Sequence, residues 1–175
     1  MNDESKFTYY LTRFKKYSSD LVKGFLNGVC INYPEFISHH IFENSFDVDF
    51  FKAIIINDSV FDVLIKAGWL NYKEQVKEID IYQLNLKEEN NKNRYIKLLM
   101  DFNLYSLALL AIYHYHYNMD VNIDYLIESL EAIEKDNDER INGSIIKTLI
   151  IYCENHEMNS ANLEKLAYIE CQFIN

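Results

Sequence analysis

Apolar residues recur at three- and four-residue intervals along most of this chain, the spacing that gathers them on one face of a helix. From Asp3 to Leu26 they are Phe7, Tyr10, Leu11, Phe14, Tyr17, Leu21, Phe25 and Leu26, with Asp3 and Glu4 at the positive end of the predicted helix and Gly28 as its stop. Pro34 suits the first position of a short helix running to Ile41 or Phe42. Asp47 to Ile56 reads as another, broken by Asn57 and Asp58. Ser59 with Asp62 makes a capping-box-like start to the next, which Gly68 ends before Trp69, the only tryptophan. Between Asn71 and Leu86 the signals conflict: Tyr72, Val76, Ile79 and Gln83 keep helical spacing, while I-D-I-Y-Q-L-N-L half alternates as a strand does. A lone strand has nothing to pair with, so helix is the expectation.

The longest apolar stretch is Asn93 to Tyr117, and from Leu104 to Tyr113 only Ser106 is polar. A helix hydrophobic all round belongs inside a protein. Twenty-five residues rising 1.5 Å each would span roughly 37 Å, enough to cross a small domain. It is no membrane span, because Arg94, Lys97, Asp101 and Asn103 interrupt its first half. The polar run K-E-E-N-N-K-N at 87–93 reads as a surface link or as a seam between two halves. After the long helix, Asp120 or Asn122 caps a helix with Ile123, Leu126, Ile127, Leu130 and Ile133 inward. Arg140 to Glu154 follows, with Ile141, Ile145, Leu149, Tyr152 and Cys153 inward and Gly143 as a local weakness. Ser160 then caps a last helix carrying Leu163, Leu166, Ala167 and Ile169. The expected architecture is all-α: one domain over 1–175, a compact bundle of about seven to nine helices around the helix at 93–117.

Composition supports that class. Four Gly and one Pro are too few for a fold built on tight turns, and 49% hydrophobic residues exclude an extended disordered chain. At 175 residues, folding buries roughly 70% of the unfolded surface, so neither disulfide nor structural metal is required. Cys30, Cys153 and Cys171 show no metal-type spacing and read as small buried hydrophobes in a reducing compartment. The start M-N-D-E-S-K is acidic where a secretion signal is basic, and Cys171 stands fifth from the end, outside a prenylation box. A cytoplasmic protein is expected.

Recognisable catalytic chemistry is scarce. The glycines 24, 28, 68 and 143 are too scattered for a phosphate loop or dinucleotide turn. No H-E-x-x-H, C-x-x-C or G-x-S-x-G occurs, nor the Arg-to-His spacing of helical ribonucleases of the HEPN type. Y-H-Y-H-Y at 113–117 offers His114 and His116, which share a face on a strand but lie about 200° apart on a helix, too far to share a metal. His39 and His40 beside Glu43 are a weaker pair. No cofactor or metal is expected, and Cys153 among isoleucines reads as core.

The net charge of −10 argues against nucleic acid as partner. It is unevenly spread: residues 1–30 and 91–119 carry plus two each, 31–90 minus six, and 120–175 minus eight. Asp120, Asp124, Glu128, Glu131 and Asp138 fall on one side of a helical wheel, beside the buried Ile/Leu stripe, and Glu134, Asp136 and Glu139 extend the charge. Like charges at i,i+4 destabilise a helix by a few tenths of a kcal/mol per pair, a cost that a basic partner would offset. Such a face is either the ordinary solvated side of an acidic protein or a surface that steers a basic protein onto it.

In size, acidity, helical pattern and lack of catalytic motifs the chain resembles the small acidic all-helical immunity proteins of bacterial toxin systems, including contact-dependent growth inhibition. That resemblance implies an inhibitor that is no enzyme and that occludes a basic cognate toxin, often a nuclease, carboxylates standing in for phosphates. Two alternatives stay open. A viral apoptosis regulator of the Bcl-2 type also wraps helices around a hydrophobic one, though Ala67-Gly68-Trp69 matches its N-W-G-R signature poorly. A helical hydrolase would use His114 or His116 with nearby carboxylates.

Overall fold

The computed structural model of the chain describes residues 4–16, 21, 24, 25, 28, 29, 32, 51, 52, 55, 56, 61, 73–133 and 140–173. Every regular element among them is helical, so the fold is all-α. The chain divides into two compact units, Met1–Asn85 and Leu86–Asn175. Helices are numbered below through the described residues.

In the first unit α1 (Glu4–Lys15) covers the start of the helix expected over 3–26. Tyr10 stacks on Phe14 at 6.0 Å and Phe25 meets both rings, yet Tyr10 is exposed and Phe14 half-buried. Phe51 and Ile55, helical within the stretch expected at 47–56, are fully buried. The helix starting at Pro34, the Ser59 cap, Gly68, Trp69, His39, His40 and Cys30 lie outside the described residues.

The ambiguous stretch 71–86 contains two short helices, α2 (Lys73–Lys77) and α3 (Ile81–Leu84). Asp80 between them accepts hydrogen bonds from the Tyr82 amide at 2.9 Å and from Gln83 Nε2 at 3.0 Å, starting α3. Asn85 ends it at φ 43°, where Lys52 Nζ reaches its carbonyl at 3.2 Å. The half-alternation comes from a cap and two short helices with Val76, Ile79, Leu84 and Leu86 buried.

In the second unit the single helix expected over 93–117 is two: α4 (Glu89–Asp101) and α5 (Tyr105–Tyr115). The break is a Schellman motif. Asn103 takes the left-handed conformation at φ 56°, its N–H donates to Met100 O at 2.8 Å, and the Leu104 N–H donates to Leu99 O at 2.8 Å. Leu99 and Leu104, the two positions that commonly carry apolar residues in this motif, are both buried. The polar run at 87–93 is likewise more than a link. From Glu89 it is helical, and Asn91 and Lys92 are buried.

α5 carries Ser106, Leu107, Ala108, Leu109, Ala111, Ile112 and Tyr115 buried, and packs against α4, α6 and α7. A 3-10 turn, His116–Asn118, continues it. In α6 (Ile123–Ala132), Asn122 is the cap, accepting from the amides of Asp124 and Tyr125 at 3.0 and 3.3 Å, while Leu126, Ile127 and Leu130 point inward. α7 spans Gly143–Glu154, capped by Asn142. Gly143 is therefore its first residue, where a glycine interrupts no helical turn, and Ile146, Leu149, Ile150 and Cys153 form its buried face.

In α8 (Ser160–Phe173) Asn159, rather than Ser160, accepts the capping bond, from the Asn162 amide at 2.9 Å. Asn162, Leu166 and Ile169 face inward, whereas Leu163 is 52% exposed and Ala167 is also outside. Of the cysteines expected to be buried, Cys153 is and Cys171 is exposed. α6 packs against α4, α7 and α8, and α7 against α8. No described helix is long and apolar enough to cross a membrane.

Candidate functional site

The acidic face lies on α6. Asn122 fixes where the helix starts, and its 3.6-residue pitch places Asp124, Glu128 and Glu131 on one side, all exposed, opposite buried Leu126 and Leu130. Asp120 is exposed just before the helix, and Asp138 lies outside the described residues, as do Glu134, Asp136 and Glu139.

α8 runs beside this face and brings two residues to it. Asn162, buried, donates from Nδ2 to Asp124 Oδ1 at 2.7 Å. Lys165 Nζ donates to Glu131 Oε2 at 2.8 Å in an exposed ion pair. The Lys165 ammonium is held above the usual lysine range, first by that hydrogen bond, then by the Glu131 charge, with Glu128 and Asp124 adding to it. Three of the five predicted carboxylates thus act together on one cation. Asp120 is not among those that act on it. Lys165 and Asn162 carry no signal in the sequence, because helical spacing relates residues within α6 and says nothing about which turn of α8 lies alongside.

The histidines of Y-H-Y-H-Y part company. His114 is half-buried, and its pKa is lowered by burial and then by the nearby Lys92 charge. His116 is buried at the end of α5, its Nδ1 2.6 Å from the Tyr113 carbonyl. Its ring stacks on Tyr113 at 5.5 Å, lies 3.7 Å from Tyr117, and meets Tyr152 of α7 edge-on at 5.8 Å. On the far end of α7, His156 stacks on Tyr152 at 4.0 Å with Nδ1 2.7 Å from the Tyr152 carbonyl. Among the described residues no three His, Cys, Asp or Glu side chains are placed to hold a metal ion.

Lys92 is only 5% exposed and explains part of this arrangement. It reaches from the first turns of α4 to the Asn118 carbonyl at 3.2 Å, over the Tyr115 ring at 5.4 Å. A cation there satisfies a carbonyl at a helix end and complements its negative pole. The Tyr115 phenol is pushed up to about 12, chiefly by burial. Cys153, read from sequence as core, is buried, and burial together with the Glu154 charge pushes its thiol up to about 12, so it carries little thiolate.

Comparison with protein-family models, with curated proteins and with solved structures gives no match to this chain.

Proposed function

We propose that this protein is an immunity-type inhibitor that binds a basic cognate toxin through its acidic face and blocks the toxin's active site or substrate surface. The reading places it in the cytoplasm and gives it no catalytic step of its own. The observation that supports it is the face of α6, where Asp124, Glu128 and Glu131 stand exposed together and Glu131 pairs with Lys165 of α8. Carboxylates held in such a row offer a basic protein what phosphates offer a nuclease. The hydrogen bond from buried Asn162 of α8 would orient the row at one end, since it fixes the exposed Asp124 carboxylate.

The test has two steps. A basic protein captured from the source organism must be identified and its toxic activity lost on adding this chain. Glu128→Lys, which leaves the Glu131–Lys165 pair in place, should then slow association and flatten its salt dependence. Glu131→Lys removes the pair as well, so the single change at Glu128 is the cleaner one. An association rate indifferent to Glu128→Lys would remove α6 from the interface.

A further inference from the structure

Beside the acidic face the second unit exposes a patch of aromatic rings, formed where the ends of α5 and α7 meet. Tyr117 is 80% exposed with its ring against His116, and His116 touches Tyr152, which in turn carries exposed His156 on its ring. The Val121 amide, one residue beyond exposed Asp120, lies 3.4 Å from Tyr152 Oη, so the start of the acidic segment adjoins these rings. Glu157, exposed, directly follows His156 in the chain. We propose that this patch is where the partner's arginine stacks: a guanidinium lying on the Tyr117 ring with the Asp120 and Glu157 carboxylates beside it. The proposal rests on the partner being a basic protein.

The chemistry favours arginine over an apolar side chain or a lysine. The faces of aromatic rings are electron-rich, and a planar, weakly hydrated guanidinium stacks on them while still donating to carboxylates at its edge. Both helices end here, and helix C-termini carry partial negative charge. Lys92, which reaches this end of α5, is buried, faces Tyr115, and is already engaged by the Asn118 carbonyl. The α6 row steers a basic partner from a distance. A ring with a free face supplies the short-range contact that charge alone lacks, and tyrosine is enriched at such energetic centres.

The probe is hexaarginine, with hexalysine as the comparison of equal charge, titrated into the full chain while affinity and the aromatic carbon resonances are followed. Tyr117→Leu keeps apolar area and, on so exposed a residue, leaves the fold intact. It should weaken hexaarginine binding by about two- to five-fold, the range of an exposed cation–π contact, and hexalysine by less. Tyr117→Phe should retain the affinity, and the Tyr117 ring resonances should shift on titration. Equal hexaarginine affinity for the unaltered and Tyr117→Leu chains overturns the proposal. If Glu128→Lys weakens hexaarginine binding while Tyr117→Leu does not, the acidic-face reading survives and the arginine seat does not. An effect at Tyr117 with none at Glu128 keeps the arginine seat and removes the α6 face.

Discussion

Asn103 is the residue on which the path of the second unit turns, and substituting it measures how much the left-handed break contributes. At φ 56° a side chain with a Cβ meets the following carbonyl, at a cost of roughly 1–2 kcal/mol that asparagine partly escapes and glycine avoids. Asn103 Oδ1 also accepts a hydrogen bond from Tyr105 Oη at 3.1 Å on the surface, a contribution of about 0.5 kcal/mol at this exposure. Asn103→Ala loses both and should destabilise by about 1–2 kcal/mol. Asn103→Gly gains backbone freedom where it is needed and loses the Tyr105 bond, so it should stay within about 0.5 kcal/mol of the unaltered chain. With a urea dependence of about 2 kcal/mol per molar, the alanine variant's midpoint should fall by about 0.5–1 M at unchanged slope. Circular dichroism through the same titration checks the alternative, that alanine lets α4 and α5 run together. An alanine variant that is more helical and no less stable would refute the account, as would a glycine variant weaker than the alanine one.

Four further outcomes follow from the same structure. Leu109→Ala, at a fully buried position on α5, should cost about 2–5 kcal/mol in urea unfolding. The lowered pKa of His114 means that the unfolded chain takes up its proton first as pH falls. Its contribution is therefore complete above pH 6.5 and lost as pH drops toward the folded value, and His114→Gln should flatten stability in that window. A thiol reagent at neutral pH should label exposed Cys171 quickly and leave Cys153 unmodified until urea unfolds the chain. Lys165→Gln removes the cation that Glu131 holds, so a basic probe should associate faster and with steeper salt dependence, read by stopped flow at two ionic strengths.

Much of the second unit is legible in the residues themselves. Of the predicted stripe, Leu126, Ile127, Leu130 and Ile133 are buried and Ile123, at the first position of α6, is half-buried; Asn122 is one of the two predicted caps. The break at Asn103 is written in the chain but hidden by its surroundings. One asparagine within a long apolar run carries a weaker signal than glycine, and apolar content reads as continuity of helix. The inward face of α8 departs from its expected pattern for a different reason. Leu163 and Ala167 fit a helical stripe as well as Asn162 does by spacing, but the buried amide has Asp124 to satisfy it.

The amino-acid order alone determined that this chain is helical and that Asp124, Glu128 and Glu131 share a side, because residues one turn apart are related by the pitch of a single helix. Only the tertiary structure decided what lies opposite them. Lys165 meets Glu131 across 34 residues, Asn162 meets Asp124 across 38, and Lys92 meets the Asn118 carbonyl across 26. Each pairing depends on how far one helix is turned and slid against another, which follows from the packing of their buried side chains as a set. Tyr117 and His156 come to the same end of the unit for that reason too: His116 and Tyr152 pack together, and the outer rings are carried with them.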